Sequence, residues 1–296
     1  MGEEKSSFYE NIFKKIYEEI FVKIRISSTD IFLCGGASTK NRLSNRDQLR
    51  KELTQNKNLS ILYPEDLFIE MMNRDKNYDL LSLEKSLADN SDYIFIVCES
   101  PGSLVELGAF TNNENTVGKV VAIFDEKRKY DKSFIMLGPV KILKKQGSEH
   151  IIFYKDINDL RKKVDSSIYK LNQKNKLALH RKKSLSNLLG LYHFIMITLY
   201  YFKEIEVDKL IKGLHYLNNN DVEDKEFNIL FRASLRLLYK NKLLKKTVVN
   251  STAIYSLTEK GINEAIKEMY SLNIKGKNKL FDGIKFDILK HDYYFS

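Results

Sequence analysis

One segment, YIFIVCESPGSLVELGAF, restricts the possible folds of this chain more than any other. It begins with five β-forming residues, Tyr93 to Val97, which are followed by a Pro101-Gly102 turn and a helical stretch that contains Glu106. A short, continuous apolar strand of this kind is typical of a buried parallel sheet. Ligands of open α/β sheets bind beyond the carboxyl ends of such strands. The segment therefore predicts that Glu106 lies where a carboxylate can act on a bound small molecule.

Glu106 also has a simpler interpretation. We expect the helix to run from about residue 103 to residue 112, which places Glu106 near its first turn. The positive end of a helix dipole favours a negative charge there, so an exposed glutamate could serve only the helix. This segment alone does not distinguish the two interpretations.

The same β-α alternation recurs through the first half of the chain. Further strands are predicted at 30–34, 59–63, 119–124 and 151–154, with helical stretches between most of them. This alternation predicts a parallel flavodoxin- or Rossmann-like sheet with flanking helices. The fold class is therefore α/β for the first half of the chain.

The charge of the chain indicates a second domain. Residues 1–150 carry 22 Lys and Arg against 23 Asp and Glu, whereas residues 151–296 carry 27 against 16. The whole basic excess thus lies in the second half, which is the candidate for a polyanion partner. We predict four segments, namely an α/β domain at 1–154, a connecting helix at 155–185, a helical DNA-binding domain at 186–272 and a basic tail at 273–296.

The second half has the element order of a winged helix-turn-helix. Three helical stretches precede a hairpin-like pair of strands at 245–250 and 253–257, and a further helix follows. Basic residues spaced four apart share one helix face. The candidate nucleic-acid-binding residues are Arg232, Arg236, Lys240, Lys242, Lys245 and Lys246. The simpler alternative is a solvated charged face. We expect the tail, which ends in aromatic residues, to dock on another surface.

Several other classes of protein are not supported. The chain lacks a G-x-G-x-x-G dinucleotide motif, a P-loop and a G-x-S-x-G nucleophile elbow, and no two histidines have metal-ligand spacing. No metal is therefore expected. The two cysteines suggest reduced thiols in a cytoplasmic protein. The apolar stretch at 187–202 is too short to span a bilayer, so no membrane association is expected.

Carboxylates and a glycine pair remain as candidate chemistry. Gly35-Gly36 follows an apolar strand and would let the backbone approach a ligand closely. Glu84 precedes strand 93–98, and Asp66 follows the strand at 59–63. Two carboxylates across a sugar can divide the attack on the anomeric carbon and the proton transfer. For Asp66 and its neighbour Glu65, the alternative is helix capping.

These motifs resemble the nucleoside 2-deoxyribosyltransferase superfamily. The shared elements are FLCGG at 32–36, an acidic residue before strand 93–98, and the G-x-x-x-E-L-G segment at 102–108. The resemblance implies that Glu106 is the nucleophile at the anomeric carbon and that Glu84 contacts the base. It also implies that residues just after the predicted strands contact the substrate. The residues expected to make them are Gly35, Gly36, Asp66, Glu99, Ser100, Gly102 and Ser103. Where relatives often carry an aspartate six residues before the nucleophile, this chain has Ser100.

A closer resemblance is to the effector proteins of retron antiphage systems. It is carried by YPEDLF at 63–68, LLSLE at 80–84, the 99–115 segment and the K-S-F-x-x-x-G-P-V segment at 132–140. The resemblance implies a toxic N-glycosidase that cleaves a nucleotide, with NAD+ as substrate and not as cofactor. It also implies a complex, oligomeric in its assembled form, with a retron reverse transcriptase and its multicopy single-stranded DNA (msDNA).

Two alternatives remain open at this point. The chain could be a free nucleoside 2-deoxyribosyltransferase or nucleotide phosphoribohydrolase, although the basic second half has no evident use in either enzyme. It could also be a non-catalytic, nucleotide-sensing DNA-binding regulator, in which the first domain only binds its ligand.

Overall fold

The structure is a computed structural model that describes residues 2–24, 29–56, 58–63, 84, 87–88, 91–174, 184–218, 224–272 and 274–295. The chain divides into two compact units. One unit is Ser27–Arg181, and the other combines Met1–Ile26 with Lys182–Ser296. No helix within the described ranges is both long enough and apolar enough to cross a membrane.

The Ser27–Arg181 unit alternates strands and helices. Its strands are β1 (Thr29–Gly35), β2 (Leu59–Leu62), β3 (Tyr93–Val97), β4 (Val120–Asp125) and β5 (Ile151–Tyr154). Its described helices are α2 (Asn45–Leu53), α3 (Pro101–Thr111), α4 (Phe134–Leu137), α5 (Pro139–Gln146) and α6 (Ile157–Lys174).

All five strands form one parallel sheet in the order β2-β1-β3-β4-β5. The predicted parallel α/β sheet with flanking helices is therefore confirmed. Every residue of β3 is buried, as a strand covered on both faces requires. On one face the strands pack with apolar side chains of α2 and α6. On the other, the ring of Phe110 in α3 meets that of Phe32 in β1 edge to face, with 5.9 Å between centroids.

Helix α6 is an integral part of the α/β unit, not a separate connector. Its buried side chains recur at helical spacing and join the core beneath the sheet; they are Leu160, Val164, Ile168 and Leu171. Burial of each such side chain stabilises the fold by about 1.5–3 kcal/mol. The compact units consequently differ from the predicted boundaries, which began a connecting helix at residue 155.

The second unit consists mainly of helices. They are α1 (Gly2–Glu19), α7 (Leu188–Phe202), α8 (Val207–Asn218), α9 (Asp224–Lys240), α10 (Glu259–Tyr270) and α11 (Lys277–Phe295). Three antiparallel strands, β6 (Glu204–Glu206), β7 (Leu244–Val249) and β8 (Thr252–Leu257), form a sheet in the order β6-β8-β7. The β7-β8 turn is the predicted one, with positive φ angles of 48° at Asn250 and 65° at Ser251, as a two-residue hairpin loop favours.

The first helix of the chain belongs to this second unit, although the sequence suggested the first domain. The ring of Phe13 in α1 is fully buried, with its centroid 6.3 Å from that of Phe194 in α7. A Cβ atom at Gly213 in α8 would lie 2.6 Å from Cε1 of Phe13, so the absence of a side chain there lets the ring fit. Packing between residues distant in sequence therefore defines this unit.

The C-terminal tail forms α11, which docks within the same unit. The ring of His291 stacks on that of Phe8 with 3.8 Å between centroids. Nζ of Lys15 donates a hydrogen bond to Oδ2 of Asp287 at 2.9 Å. These contacts join the last helix to the first, which answers the expectation that the tail docks on another surface.

The Phe13–Gly213 contact predicts a loss of stability when Gly213 is replaced with alanine. Overpacking a filled site costs about 1–3 kcal/mol, because the ring must move. Urea unfolding of Gly213→Ala should show this loss. The control is Gly283→Ala in α11, where the new Cβ meets nothing within 4 Å and should be neutral or stabilise the helix by up to about 1 kcal/mol. Equal stability of the two variants would contradict the packing argument.

Candidate functional site

The strand order indicates a candidate ligand-binding edge of the α/β unit. In a 2-1-3-4-5 sheet the connections reverse direction between β1 and β3, and ligands bind beyond the carboxyl ends of the strands at this switch point. Gly35, at the end of β1, is in register with Val97, at the end of β3. The loops that begin with Gly35-Gly36 and with Cys98-Glu99 thus start side by side at the switch point.

The protein's own packing accounts for the two glycines. Gly35 has a φ angle of 151°, and a Cβ atom there would lie 3.0 Å from Cβ of Arg46 and 3.1 Å from Cβ of Val97. At Gly36, a Cβ atom would lie 3.1 Å from Cγ of Glu99. Side chains at these positions would therefore separate the β1 loop from the β3 loop. Ligand contact by the two glycines stays a prediction.

Glu99 holds the amino end of α2. Its Oε2 accepts a hydrogen bond from the backbone N–H of Asn45, and its Oε1 accepts one from that of Arg46, both at 3.0 Å. A carboxylate at a helix amino end satisfies backbone donors that have no partner within the helix. Both oxygens of this predicted substrate-binding residue thus connect the β3 loop to the helix that follows β1.

The other predicted residues of the β3 loop begin α3. Ser100 is the N-cap of this helix, and its hydroxyl accepts a hydrogen bond from the N–H of Ser103 at 3.2 Å. The hydroxyl of Ser103 in turn accepts one from the N–H of Ser100 at 3.1 Å, which completes a capping box. Gly102 is exposed, with open space around it. Ser100 and Ser103 therefore have a structural role here, and substrate contact by them stays a prediction.

Glu106 lies deeper in its helix than the sequence suggested. Helix α3 begins at Pro101, not at about residue 103, so Glu106 is its sixth residue and lies outside the first turn. The dipole effect falls off within the first turn. Glu106 is half-buried, and its Oε2 atom is shielded from solvent. An exposed glutamate that serves only the helix dipole does not match this environment.

A buried thiol and an arginine lie near the Glu106 carboxylate. The pKa of the Cys98 thiol is raised to about 12, mainly by burial; the hydrogen bond with the backbone of Ile123 and the positive charge of Arg128 act to lower it, and the negative charge of Glu106 acts to raise it. Cys98 therefore stays neutral at ordinary pH. Arg128 and Glu106 both lie within electrostatic range of this thiol.

A tyrosine at the end of the last strand of the sheet contacts the amino end of α2. The amide of Asn45 donates a hydrogen bond to the hydroxyl of Tyr154, at the end of β5, at 2.9 Å. The pKa of this hydroxyl is raised to about 12, first by burial and next by the negative charge of Glu99. Asn45, Arg128 and Tyr154 were not predicted as site residues. Their positions could have indicated them, because Asn45 starts α2, Arg128 lies just beyond β4 and Tyr154 ends β5.

The structure reveals less about the remaining predicted site residues. Glu84 is in a helix and buried, with 7% of its surface exposed. Asp66 lies outside the described residues. Its role, and the pairing of Glu84 with Glu106, therefore stay predictions. No group of three or more histidine, cysteine, aspartate or glutamate residues suited to a metal ion occurs within the described ranges.

The predicted nucleic-acid-binding residues form a basic surface on the second unit. Arg232 and Lys240 are exposed and Arg236 is half-buried, four residues apart along α9. The opposite face of α9 is buried, with Phe227, Phe231 and Leu238 almost inaccessible. The remaining members, Lys242, Lys245 and Lys246, are all exposed in the turn after α9 and in β7. All six residues thus lie on α9, in the turn that follows it or in β7.

The described residues define an α/β protein with a carboxylate-bearing ligand edge and a second, basic unit. Residues 42–246 match the family of the STM3845 retron effector protein. One relative, the "Retron Ec86 putative ribosyltransferase/DNA-binding protein" of Escherichia coli, is 35% identical over 234 residues, which cover 73% of this chain and 74% of the relative. The corresponding Retron Ec73 protein of Escherichia coli is 31% identical over 134 residues, 42% of each chain.

The chain therefore belongs to the STM3845 retron effector protein family. The retron effector assignment made from the sequence motifs is confirmed at this level.

The role of Glu99 at α2 can be tested by its removal. Glu99→Ala would leave two backbone N–H groups without their acceptor, and we expect a loss of about 2 kcal/mol in the free energy of unfolding. Glu99→Gln keeps one acceptor oxygen and should lose less. Urea unfolding measures both. Glu114→Ala, an exposed carboxylate elsewhere in the unit, is the matched control. A Glu99→Ala protein as stable as this control would contradict the capping role.

Proposed function

We propose that the α/β unit cleaves the N-glycosidic bond of a nucleotide, with NAD+ as the preferred substrate and Glu106 as the reacting carboxylate. One observation carries the proposal. Glu106 has a solvent-shielded carboxylate oxygen and sits on the helix that follows β3, at the switch point of a 2-1-3-4-5 parallel sheet. A carboxylate in this position can face the anomeric carbon of a bound ribose.

The reaction separates the base from the ribose. The bond between C1′ of the ribose and the base nitrogen breaks, and its electron pair leaves with the base. Glu106 either bonds to C1′ or stabilises the oxocarbenium-like centre that forms there. Water then attacks C1′ and loses a proton to solvent; where Glu106 had bonded to C1′, that bond breaks in the same step and the carboxylate is regenerated. The nicotinamide of NAD+ is positively charged in the substrate and leaves as a neutral molecule, so it needs no general acid.

The neighbouring residues position the substrate in this proposal. The backbone of Gly35-Gly36 grips the ribose, and Glu84 binds its hydroxyls or the base. Glu99 contributes indirectly, because it holds the α2 amino end against the β3 loop. One reacting carboxylate is therefore sufficient for loss of nicotinamide.

We propose that the second unit is a winged helix that binds the msDNA of a retron. Its order of helix α7, strand β6, helices α8 and α9, and hairpin β7-β8 supports this assignment, as does the basic surface at α9. The words "DNA-binding" in the names of both relatives agree with it. In this proposal a complex with reverse transcriptase and msDNA restrains a toxic effector until phage infection releases it.

Transfer to another acceptor is the second candidate reaction. The relatives are named as ribosyltransferases, and a transferase would use the same Glu106 with a base in place of water. A deoxyribosyltransferase would fit this chemistry and differs from the hydrolase in what attacks C1′ after the first base leaves. A nucleotide phosphoribohydrolase would also use water and differs only in its substrate.

The test is a comparison of reactions with the purified full-length chain. We expect incubation with NAD+ to give nicotinamide and ADP-ribose, measured by chromatography. A second incubation with a deoxynucleoside and a different free base measures exchange. Exchange without NAD+ loss would favour the transferase. Absence of any base release from NAD+, nucleotides and nucleosides would refute the catalytic assignment and favour a nucleotide-sensing regulator.

A further inference from the structure

The turn that follows β4 lies beside the loop that carries the candidate site. Strands β3 and β4 are neighbours in the sheet, and the N–H of Cys98 donates a hydrogen bond to the carbonyl of Ile123 at 2.9 Å. Immediately beyond β4, a single 3-10 turn spans Glu126–Arg128. The topology therefore brings this turn to the same edge of the sheet as Glu106.

This turn is held by its own hydrogen bonds. Oδ1 of Asp125 accepts a hydrogen bond from the N–H of Lys127 at 2.9 Å, and the carbonyl of Glu126 accepts one from the N–H of Lys129 at 3.0 Å. Glu126 also pairs with Lys155, with 3.7 Å between the charged atoms. The backbone that carries Arg128 is consequently held by contacts within the chain.

Arg128 is an exposed cation at this edge. Within the described part of the chain, no hydrogen bond or ion pair engages its guanidinium, in contrast to Lys129, whose ammonium lies 5.5 Å from the ring centroid of Tyr130. The thiol of Cys98 is close enough to be influenced by the charges of both Arg128 and Glu106. Arg128 and the proposed reacting carboxylate thus lie at the same edge of the sheet, in the segments that follow the neighbouring strands β4 and β3.

A nucleotide is a ligand that could use a carboxylate and a cation at one edge of the sheet. Its 5′-phosphate lies one ribose away from the anomeric carbon, so a ligand with C1′ at Glu106 needs a cation near that carboxylate but beyond the sugar. A guanidinium binds phosphate through two parallel hydrogen bonds. An exposed arginine also retains its side-chain freedom until the ligand arrives.

We propose that Arg128 binds the 5′-phosphate of the substrate and makes the site select phosphorylated ribosides over nucleosides. This inference rests on the proposed function for the position of the ribose. It assigns a specificity-determining role to a residue outside the motifs that carry the family resemblance. Arg128 does not act on the reacting bond.

Ligand pairs that differ only in one phosphate test this role. Binding to the full-length Glu106→Gln chain, which should not consume the ligand, is measured by calorimetry. The pairs are nicotinamide mononucleotide with nicotinamide riboside, and AMP with adenosine. We expect each nucleotide to bind about 10- to 100-fold more tightly than its nucleoside, the usual contribution of a charged hydrogen-bonded contact.

Adding Arg128→Ala should remove this preference and leave the nucleoside affinities unchanged. Arg128→Lys should retain part of it, because the charge remains without the bidentate geometry. Lys129→Ala removes the same charge one residue away and should keep the preference. The inference is overturned if neither nucleotide binds measurably, if the Glu106→Gln chain shows no preference, if Arg128→Ala keeps it, or if Lys129→Ala also abolishes it.

The binding result is independent of catalysis. If the wild-type chain releases no base from any substrate but the phosphate preference depends on Arg128, the catalytic proposal fails and this inference stands. If base is released but Arg128→Ala weakens nucleotide and nucleoside binding equally, the reverse holds.

Discussion

Replacement of Glu106 with glutamine is expected to lower base release by about 1,000-fold or more, the scale on which removal of a reacting nucleophile acts. Glutamine has nearly the same shape, so the half-buried position on α3 stays filled. The amide, however, cannot neutralise a developing positive charge at C1′ or form a stable bond to it. The loss should therefore appear in kcat and not in substrate binding. Nicotinamide release from NAD+ by the purified chain measures it.

Two controls separate chemistry from structure in this experiment. Urea unfolding of Glu106→Gln should match that of the wild type within about 1 kcal/mol. Glu114→Gln, at an exposed site in the same unit, should keep full activity. In cells that express the effector without its partners, NAD+ should fall with the wild type and persist with Glu106→Gln. NAD+ loss as rapid as with the wild type would refute the role of Glu106.

The second large effect is expected at the basic surface of α9. Simultaneous replacement of Arg232, Arg236 and Lys240 with alanine should weaken binding to single-stranded DNA by about 100-fold at moderate salt. Each phosphate contact on a single strand contributes about 0.7 to the slope of log affinity against log salt. The slope should therefore decrease by about 2. Titrations of the full-length chain at several salt concentrations measure both quantities.

The matched control removes the same charge elsewhere in the unit. Lys275, Lys279 and Lys290 are exposed lysines in and before α11, and their combined replacement with alanine should change the affinity much less. If both triple variants lose affinity equally, net charge and not this surface is responsible. If the wild-type affinity is independent of salt, phosphate contacts do not carry the interaction and the second unit binds another partner.

The sequence predicted the α/β unit well because its signals are local. Neighbouring residues directly predict strand β3 and the turn and helix that follow it. They also predict the β7-β8 hairpin around Asn250. The same holds for the basic spacing along α9, since residues four apart always share a helix face. The start of α3 was placed two residues too late, because the capping role of Ser100 had not been recognised.

The roles of individual site residues were harder to predict from the sequence. Substrate contact by Glu99 stays a prediction from the sequence, which did not indicate that its carboxylate accepts backbone hydrogen bonds from Asn45 and Arg46, more than fifty residues earlier. Arg128 and Tyr154 belong to no motif, and only the sheet brings them to the edge that carries Glu106. A side chain's neighbours across a sheet depend on strand order, which no local pattern encodes.

By itself, the sequence determined that this protein contains a buried parallel sheet, a glutamate beyond the strand Tyr93–Val97 and a basic second half. Local propensity, runs of apolar residues and the spacing of charges are properties of short segments, so they can be recognised from the sequence alone. Only the tertiary structure decided that β1 lies beside β3, which forms the switch point. It also placed the first helix, through Phe13 and Gly213, in the unit of the C-terminal residues. These outcomes depend on packing between residues distant in sequence, and this packing stabilises the protein only once the chain has folded.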